Sequence, residues 1–303
     1  MAIVEIDGLG KRFKHTTALK NVNLSINQGE VFGIVGPDGA GKTTLLRIVT
    51  GIMRPTEGSI RVANIDIVQN PEAVKEKIGV VPQNFSLYPD LTTEENLDFF
   101  SRIYQLNAAV YRERRDRLLR ITRLAPFMKR RAEHLSGGMQ KKLALVTCLL
   151  HTPELLFLDE PTTGVDPVSR RELWDFLYEL LATSITIIVS TPYMDEAERC
   201  SRVGFIYKGN LLLVDNPLSM KKTYPYKVYE FRTGIAQARD VQPWLAVANV
   251  ADAYPVADTV HLITKDELTD KTKKQLEKTG VYGIKLIEPS FEDIFIAVIR
   301  SRQ

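Results

Sequence analysis

Short apolar runs separated by turn residues open the chain. The runs Ile3–Ile6, Val22–Ile26 and Val31–Val35 are rich in β-branched residues, which indicates strands. Two further runs, Ser59–Ala63 and Ile78–Val81, have the same character. The first eighty residues therefore predict several strands.

A different spacing begins near residue 92. Thr92 is followed three residues later by Glu95, the pattern of a capped helix start. Apolar residues then recur every three or four positions, as in amphipathic helices; they are Leu97, Phe100, Ile103, Leu106, Leu118, Leu119 and Ile121. This spacing predicts a helical insertion, placed at about 88–150, in an otherwise α/β core.

Alternation of strands and helices returns after the insertion. It predicts a strand at Leu155–Leu158, a helix at Val168–Leu181 and a strand at Ile185–Ser190. Such alternation is typical of a mostly parallel sheet covered on both faces. We therefore expect an α/β fold with a mostly parallel sheet plus an antiparallel β edge.

The pattern breaks between residues 217 and 225, where two prolines and two lysines interrupt it. We place a domain boundary there, with a first domain at 1–218 and a small α/β accessory domain at 219–303. The elements predicted for the second domain are strands at Val228–Arg232 and Val260–Thr264 and helices near Ala236–Val247, at Asp266–Lys278 and at Phe291–Arg300. No motif in this segment points to a chemistry.

Composition adds few constraints. The 303 residues carry 40 Lys and Arg against 37 Asp and Glu, a net charge of +3 that indicates no polyanionic partner. Two cysteines give neither a disulfide framework nor a metal-binding spacing. No apolar run approaches the roughly 18 residues of a membrane span, and the N-terminus lacks a signal-peptide pattern. We expect a reduced, cytosolic protein.

A glycine-rich segment follows the strand Val31–Val35 and precedes a helical pattern. It reads Gly36-Pro37-Asp38-Gly39-Ala40-Gly41-Lys42-Thr43-Thr44. The pattern G-x-x-x-x-G-K-T between a strand and a helix predicts a phosphate loop, in which backbone N–H groups surround an anion. Lys42 would reach the β- and γ-phosphates, and the Thr43 hydroxyl would coordinate Mg²⁺. An ordinary glycine-rich turn is the competing interpretation.

Two carboxylates end the apolar strand at Leu155–Leu158. A parallel strand beside the loop strand would bring Asp159 to the Mg²⁺ side of a nucleotide. Glu160, one residue later, would position an attacking water as the general base, which suits phosphoryl transfer. The alternative is a strand that ends in an exposed acidic turn.

Upstream of these carboxylates, Ser136, Gly137 and Gly138 precede a helix and form a second anion-binding pattern. In the order of these motifs, residues 1 to about 218 resemble the ATP-binding-cassette (ABC) ATPases. The resemblance implies an ABC-type P-loop ATPase core that binds ATP and Mg²⁺. It also implies that two cassettes pair head to tail, so that Ser136, Gly137, Gly138 and Gln140 would contact ATP held by the partner cassette.

The resemblance suggests functions for three more residues. Phe13 lies where an aromatic ring stacks on adenine, although a buried strand phenylalanine is the alternative. Gln83 lies where a glutamine reaches Mg²⁺ or the attacking water and senses the membrane partner; by itself it is a surface turn residue. Asp166 matches a loop that crosses the dimer interface, or else is a plain helix cap before Pro167.

Two segments resemble the ATPases of bacterial ABC-2-type exporters. They are Tyr193-Met194-Asp195-Glu196-Ala197-Glu198 and Pro289-Ser290-Phe291-Glu292-Asp293-Ile294-Phe295. They imply an ATP-hydrolysing subunit at the cytoplasmic face of the inner membrane that powers export by a separate transmembrane permease. The alternatives are a soluble non-transport ABC ATPase and an ATP-binding regulatory cassette with very low catalysis.

Two positions depart from the family pattern. Pro192 stands where family members normally have a histidine that contacts the γ-phosphate, and proline offers no side-chain donor. Asp38 replaces the usual asparagine and adds negative charge beside phosphates. The departures resemble the first, degenerate cassette of tandem or heteromeric exporters, whose site is slow. Tolerated drift at position 192 is the alternative.

Arginines crowd one helical stretch; they are Arg112, Arg114, Arg115, Arg117, Arg120 and Arg123. A solvated face is the default interpretation, and a face toward anionic lipid is the main alternative. We expect no nucleic-acid partner, because no aromatic residues are interleaved with the charges.

Overall fold

The computed structural model describes residues 1–84, 86–234, 241–247 and 249–301. The chain divides into two compact units, Met1–Asn216 and Pro217–Gln303. The division lies two residues before the boundary expected at 218, because a helix begins at Pro217.

The strands of the described residues, in chain order, are β1 Ala2–Phe13, β2 Thr16–Asn27, β3 Val31–Val35, β4 Glu57–Val62, β5 Ile65–Asp66, β6 Ile78–Val81, β7 Leu155–Asp159, β8 Thr186–Thr191, β9 Arg202–Tyr207, β10 Asn210–Asp215, β11 Lys227–Arg232, β12 Val250–Val256, β13 Thr259–Thr264 and β14 Tyr282–Ile287.

The α-helices of the same residues are α1 Lys42–Val49, α2 Pro71–Lys75, α3 Thr93–Ile103, α4 Ala108–Thr122, α5 Gly137–Leu149, α6 Pro167–Leu181, α7 Met194–Ala197, α8 Pro217–Thr223, α9 Gln242–Leu245, α10 Asp270–Glu277 and α11 Phe291–Arg300. Two short 3₁₀ helices lie at Ala125–Phe127 and Ala132–His134.

A six-stranded sheet forms the centre of the first unit, in the order β10-β9-β3-β8-β7-β6. All neighbours pair in parallel except β9 and β10, which are antiparallel. Every residue of β3, β7 and β8 is buried, as expected for parallel strands covered on both faces. The mostly parallel sheet predicted from the sequence is confirmed.

A second sheet of the first unit is antiparallel and has the order β2-β1-β4-β5. Its apolar face packs with α1 and the central sheet around one core, which includes Leu9, Leu19, Phe32, Leu45 and Phe157. This core fixes where β3 ends and α1 begins, and so it positions the loop between them.

The predicted helical insertion contains α3, α4 and α5. Thr92 and Glu95 form the expected capping box of α3. Leu97 is buried, but Ile103 is 54% exposed, because six residues of helix turn it about 120° away from the buried direction. The arginine stretch on α4 is only partly solvated: Arg114 donates to the carbonyl of Leu150 at 2.7 Å.

The second unit is built on an antiparallel sheet in the order β12-β13-β11-β14. One sheet face packs around Trp244, Leu262 and Leu276 in a separate core. The predicted strands β11 and β13 and helix α11 are present. For the helix predicted near 236–247, residues 236–240 lie outside the described residues, and α9 occupies only Gln242–Leu245.

One glycine contact tests the packing of the first unit. Gly58 in β4 has φ +88°, and a Cβ there would lie 2.5 Å from the carbonyl oxygen of Gly8. Gly29 has a similar φ of +73°, but a Cβ there would meet nothing within 4 Å. We expect Gly29→Ala to cost about 1–2 kcal/mol of unfolding free energy, and Gly58→Ala at least about 1–3 kcal/mol more. Urea denaturation measures both; equal costs would contradict the close contact.

Candidate active site

The loop between β3 and α1 has the geometry of a phosphate loop. Gly36 must be glycine, because a Cβ would lie 2.2 Å from the carbonyl oxygen of Ile206. Gly41 caps α1 with φ +113°, a conformation that L side chains rarely adopt. The predicted residues Gly39, Ala40, Thr43 and Thr44 lie on this loop and the first turn of α1. The backbone N–H groups of the first helical turn are therefore available to an anion.

The Lys42 ammonium is buried and points back over the loop. Its Nζ donates to the carbonyl oxygens of Gly36 at 2.8 Å and Pro37 at 3.1 Å. It also forms an ion pair with Glu160 Oε1 at 3.1 Å, and both side chains are under 10% exposed. The departure at Asp38 is largely solvated: that side chain is 92% exposed and lies 3.8 Å from Lys42.

Asp159 and Glu160 reach the loop by a different route from the one expected. The sequence suggested that their strand would lie beside β3, but β8 lies between β3 and β7. Ser190 of β8 contacts both residues, because its hydroxyl donates to Asp159 Oδ1 at 2.6 Å and accepts from the Glu160 backbone amide at 3.0 Å. The Thr43 hydroxyl donates to the same Asp159 oxygen at 3.2 Å.

Glu160 is held by contacts on both carboxylate oxygens. Oε1 pairs with Lys42, while Oε2 accepts from Gln83 Nε2 at 2.8 Å and from the Thr163 hydroxyl at 3.3 Å. Its φ of +47° is unusual for a residue with a side chain. Such strain persists only where surrounding contacts enforce it, and here it turns the carboxylate toward the loop.

Lys42, Gln83 and Glu160 line one cavity of about 530 Å³. Its lining also includes residues of the phosphate loop and α1, and Thr16 and Thr17 at the start of β2. The volume falls within the roughly 300–1,000 Å³ of small-molecule sites. The structure thus brings the phosphate loop and the catalytic candidates Gln83 and Glu160 together, with Asp159 beside Thr43.

Phe13 does not line this cavity. It is the last residue of β1, three residues before Thr16, which does line the cavity. Its side chain is not a buried strand phenylalanine, since it is 47% exposed, with the Lys11 ammonium 5.3 Å from its ring centroid. Stacking of this ring on adenine stays a prediction.

The second glycine motif lies at the start of α5, away from the cavity lining. Ser136 is exposed and caps α5 by accepting from the amide of Met139. Gly138 must be glycine, because a Cβ would lie 2.6 Å from the Ser169 side chain. Gln140 turns inward and donates to the carbonyl of Ala132 at 3.0 Å. Its predicted contact with another cassette's ATP remains a prediction.

Asp166 is the N-cap of α6. Its carboxylate accepts from the amides of Val168 at 3.1 Å and Ser169 at 3.0 Å. Hydrogen bonds donated by Ser169, first by its side chain and then by its backbone, lower the pKa of Asp166. The cap explains the residue locally, and an added function at a dimer interface stays a prediction.

Pro192 directly follows β8, two residues after Ser190. The preceding Thr191 directs its hydroxyl to the buried Glu196 at 2.7 Å, so it does not replace a donor toward the cavity. No histidine is among the residues that line the cavity in the described part of the chain.

The sequence patterns do not indicate the contacts that Ser190, Thr163 and Lys141 make at this site. The Lys141 ammonium on α5 donates to the carbonyl oxygen of Gln83, while Gln83 donates to Glu160. Burial lowers the pKa of Lys141, against the opposing effect of Asp159 and Glu160. A lysine five residues after Ser136 carries no signal in sequence; only the fold brings it beside Gln83.

The fold and the site together define a P-loop cassette that binds ATP. Residues 19–163 match the family described as "ABC transporter". The chain is 37% identical over 301 residues to the "Probable multidrug ABC transporter ATP-binding protein YbhF" of Escherichia coli (strain K12), covering 98% of this chain and 52% of that protein. It is 31% identical over 302 residues to the "Daunorubicin resistance ATP-binding protein DrrA3" of Streptomyces coeruleorubidus, covering 97% and 94%.

Among solved structures, a dimeric ATP-binding cassette in a post-hydrolysis state with ADP and Pi aligns with a TM-score of 0.63 at 29% identity. The alignment covers 70% of this chain and 98% of that one. The chain therefore belongs to the ABC transporter family, as an ATP-binding cassette, and the ABC-type P-loop fold expected from the sequence is confirmed. It spans about half the length of the YbhF relative. Within the described residues, no helix has the length and apolarity needed to cross a membrane.

The contact between Lys141 and Gln83 predicts an effect on turnover. Lys141→Met should remove the hydrogen bond that holds the Gln83 backbone and lower kcat for ATP hydrolysis by about 2- to 30-fold, the range of 0.5–2 kcal/mol of coupling. KM for ATP should stay unchanged, because Lys141 does not line the cavity. Lys141→Arg should retain most activity, and the exposed Lys129→Met is the matched control. Wild-type kcat in Lys141→Met would refute the positioning effect.

Proposed function

We propose that this chain is the ATP-binding and ATP-hydrolysing subunit that powers export by a separate transmembrane subunit. The observation that carries this is the convergence of Lys42, Gln83 and Glu160 on one cavity beside a phosphate loop. Support for export comes from the relatives, whose names refer to multidrug transport and daunorubicin resistance. None of these names favours a non-transport ABC ATPase.

In the proposed reaction, the loop N–H groups and Lys42 bind the ATP phosphates. The Lys42 ammonium is buried, so solvent screens its charge only weakly. It neutralises the negative charge that develops on the phosphates during phosphoryl transfer. Glu160 orients the attacking water and takes its proton, while Gln83 and Thr163 hold the carboxylate in place. Catalysis would thus rest on positioning and charge neutralisation.

The residues present also suit Mg²⁺. The Thr43 hydroxyl and Asp159 carboxylate lie 3.2 Å apart, and both are the oxygen ligands that Mg²⁺ prefers. Mg²⁺ is usually held by one or two carboxylates together with substrate phosphates and water. Gln83 would complete the set. Bound Mg²⁺ would supply charge neutralisation at the phosphates.

A second cassette, identical or different, would complete the site. Ser136 and Gly137 are exposed at the start of α5, where a helix N-terminus favours an anion. Asp166 begins α6 on an exposed loop. We propose that these residues face a partner cassette and that Gln83 relays its state to the permease. The chain would then lie peripherally at the cytoplasmic face of the inner membrane, with the second unit as an accessory domain.

The assignment of Glu160 as general base predicts the behaviour of one variant. Glu160→Gln should lower ATP turnover by about 10²–10⁴-fold, the usual contribution of a general base. ATP should still bind and should trap the paired cassettes, which size-exclusion chromatography with ATP would detect. Glu179→Gln, on the exposed part of α6, is the matched control. Near-normal turnover in Glu160→Gln would exclude it as the base.

A second candidate is an ATP-binding cassette with slow catalysis that pairs with a more active one. The observation that favours it is Pro192, which offers no donor after β8. Losing one preorganised donor costs about 10²–10³ in rate. Such a chain would hold ATP for long periods and contribute Ser136, Gly137 and Gly138 to the partner's site.

Pro192→His distinguishes the two candidates. If Pro192 makes the site slow, the histidine should raise turnover, by up to about 10²-fold, without tightening ATP binding in proportion. The measurement is the ATPase activity of the wild-type protein and of Pro192→His, each alone and together with the partner cassette. An unchanged rate together with full activity in the absence of another cassette would reject the slow-site interpretation.

A further inference from the structure

A second cavity lies in the C-terminal unit, on the sheet face opposite the Trp244 core. In the pairing of β12 with β13, Asp252 lies opposite Ile263 and Tyr254 opposite His261. Residues paired in this way share one face of the sheet. The helix α11 packs on this face, because its Asp293 contacts both Tyr254 and His261.

This contact between sheet and helix includes buried carboxylates. Asp252 is 6% exposed and Asp293 is 1% exposed. The neighbouring positions Ala253, Val260 and Leu262 belong to the apolar core. Apolar packing would suffice to attach a helix, whereas buried carboxylates carry a desolvation cost. Buried polar groups of this kind, when they border a cavity, indicate a binding site.

Hydrogen-bond donors surround the Asp293 carboxylate. Burial would raise the pKa of Asp293, but hydrogen bonds from His261, Ser290 and Tyr254 outweigh it, so this pKa lies below its usual value. Asp252 forms an ion pair with Arg300 near the end of α11. The lining residues Asp252, Asp293 and Arg300 together carry a formal charge of −1, and His261 contacts Asp293 from outside the lining.

Tyrosines form much of the remaining wall. Tyr224, Tyr226 and Tyr254 all line the cavity. The Tyr224 hydroxyl oxygen is buried and has no hydrogen-bond partner among the described residues. Burial, followed by the charge of Asp293, raises the pKa of Tyr224, so the hydroxyl stays neutral. An unsatisfied buried hydroxyl is costly in a well-packed protein, and it gives a polar ligand a contact.

We propose that this cavity binds a small monovalent organic cation, an ammonium group on an apolar or aromatic body. The negative lining attracts one positive charge, and tyrosine faces bind ammonium groups through their π electrons. The Tyr224 oxygen can accept a hydrogen bond from the same group. The cavity volume of about 200 Å³ is below that of drug-sized sites, so the ligand is of fragment size.

Three probes of one shape and different charge test the proposal: benzylamine, benzyl alcohol and benzoate. Isothermal titration calorimetry on the full chain at neutral pH should detect benzylamine binding with a Kd of about 1 mM or tighter. Benzyl alcohol and benzoate should bind at least about tenfold more weakly, a difference of about 1.4 kcal/mol. Equal binding of all three, preference for benzoate, or no benzylamine binding up to about 10 mM would overturn the proposal.

Variants locate the binding. Asp252→Asn should weaken benzylamine binding about tenfold or more, and Asp258→Asn, at a 77% exposed side chain, is the matched control. Tyr224→Phe keeps the ring, removes the unpaired hydroxyl and should weaken binding by a smaller factor; Tyr282→Phe, at an exposed tyrosine of β14, is its control. ATP affinity should be unchanged throughout. If Asp252→Asn is unstable, Tyr224→Phe decides, and unaltered benzylamine affinity in that variant would place binding elsewhere.

Discussion

The parallel hydrogen bonding of β3, β8 and β7 is the constraint on which the candidate active site depends. The register pairs Val35 with Thr191 and Asp159 with Ser190, so three strands end at one edge of the sheet. Groups that are far apart in sequence therefore meet without any local signal. Ser190 can contact both Asp159 and Glu160 because its strand pairs directly with β7.

The stability of the site depends on two charged side chains that are buried at this edge of the sheet. Lys42 and Glu160 are both nearly inaccessible to water, and a buried charge is tolerated only with a partner and hydrogen bonds. Each has them: backbone carbonyls and Glu160 surround Lys42, while Gln83 and Thr163 satisfy the second oxygen of Glu160. The same contacts enforce the positive φ of Glu160. The same contacts therefore position the Glu160 carboxylate and stabilise its buried charge.

In the two units, helices pack against the sheet through different kinds of contact. In the first unit, α1 packs through apolar residues into a continuous core. In the second unit, α11 meets its sheet through Asp293, Tyr254 and His261. A polar contact of this kind is specific in geometry, because every buried donor and acceptor needs its partner. It also leaves the tyrosine-lined cavity beside the helix.

Sequence by itself determined the features that depend on local chemistry. The phosphate loop, the capping box at Thr92 and the strands β3, β6 and β7 follow from short patterns, because glycine conformations, caps and buried strands depend on neighbouring residues. The strands β12 and β14 were missed, since Pro255 and Asp252 interrupt the first and Gly283 the second. Tertiary structure alone decided that β8 separates β3 from β7, that Lys141 reaches Gln83, and that Tyr224 lies beside Asp252. These are pairings across many residues, and they depend on sheet order and register, which no local pattern encodes.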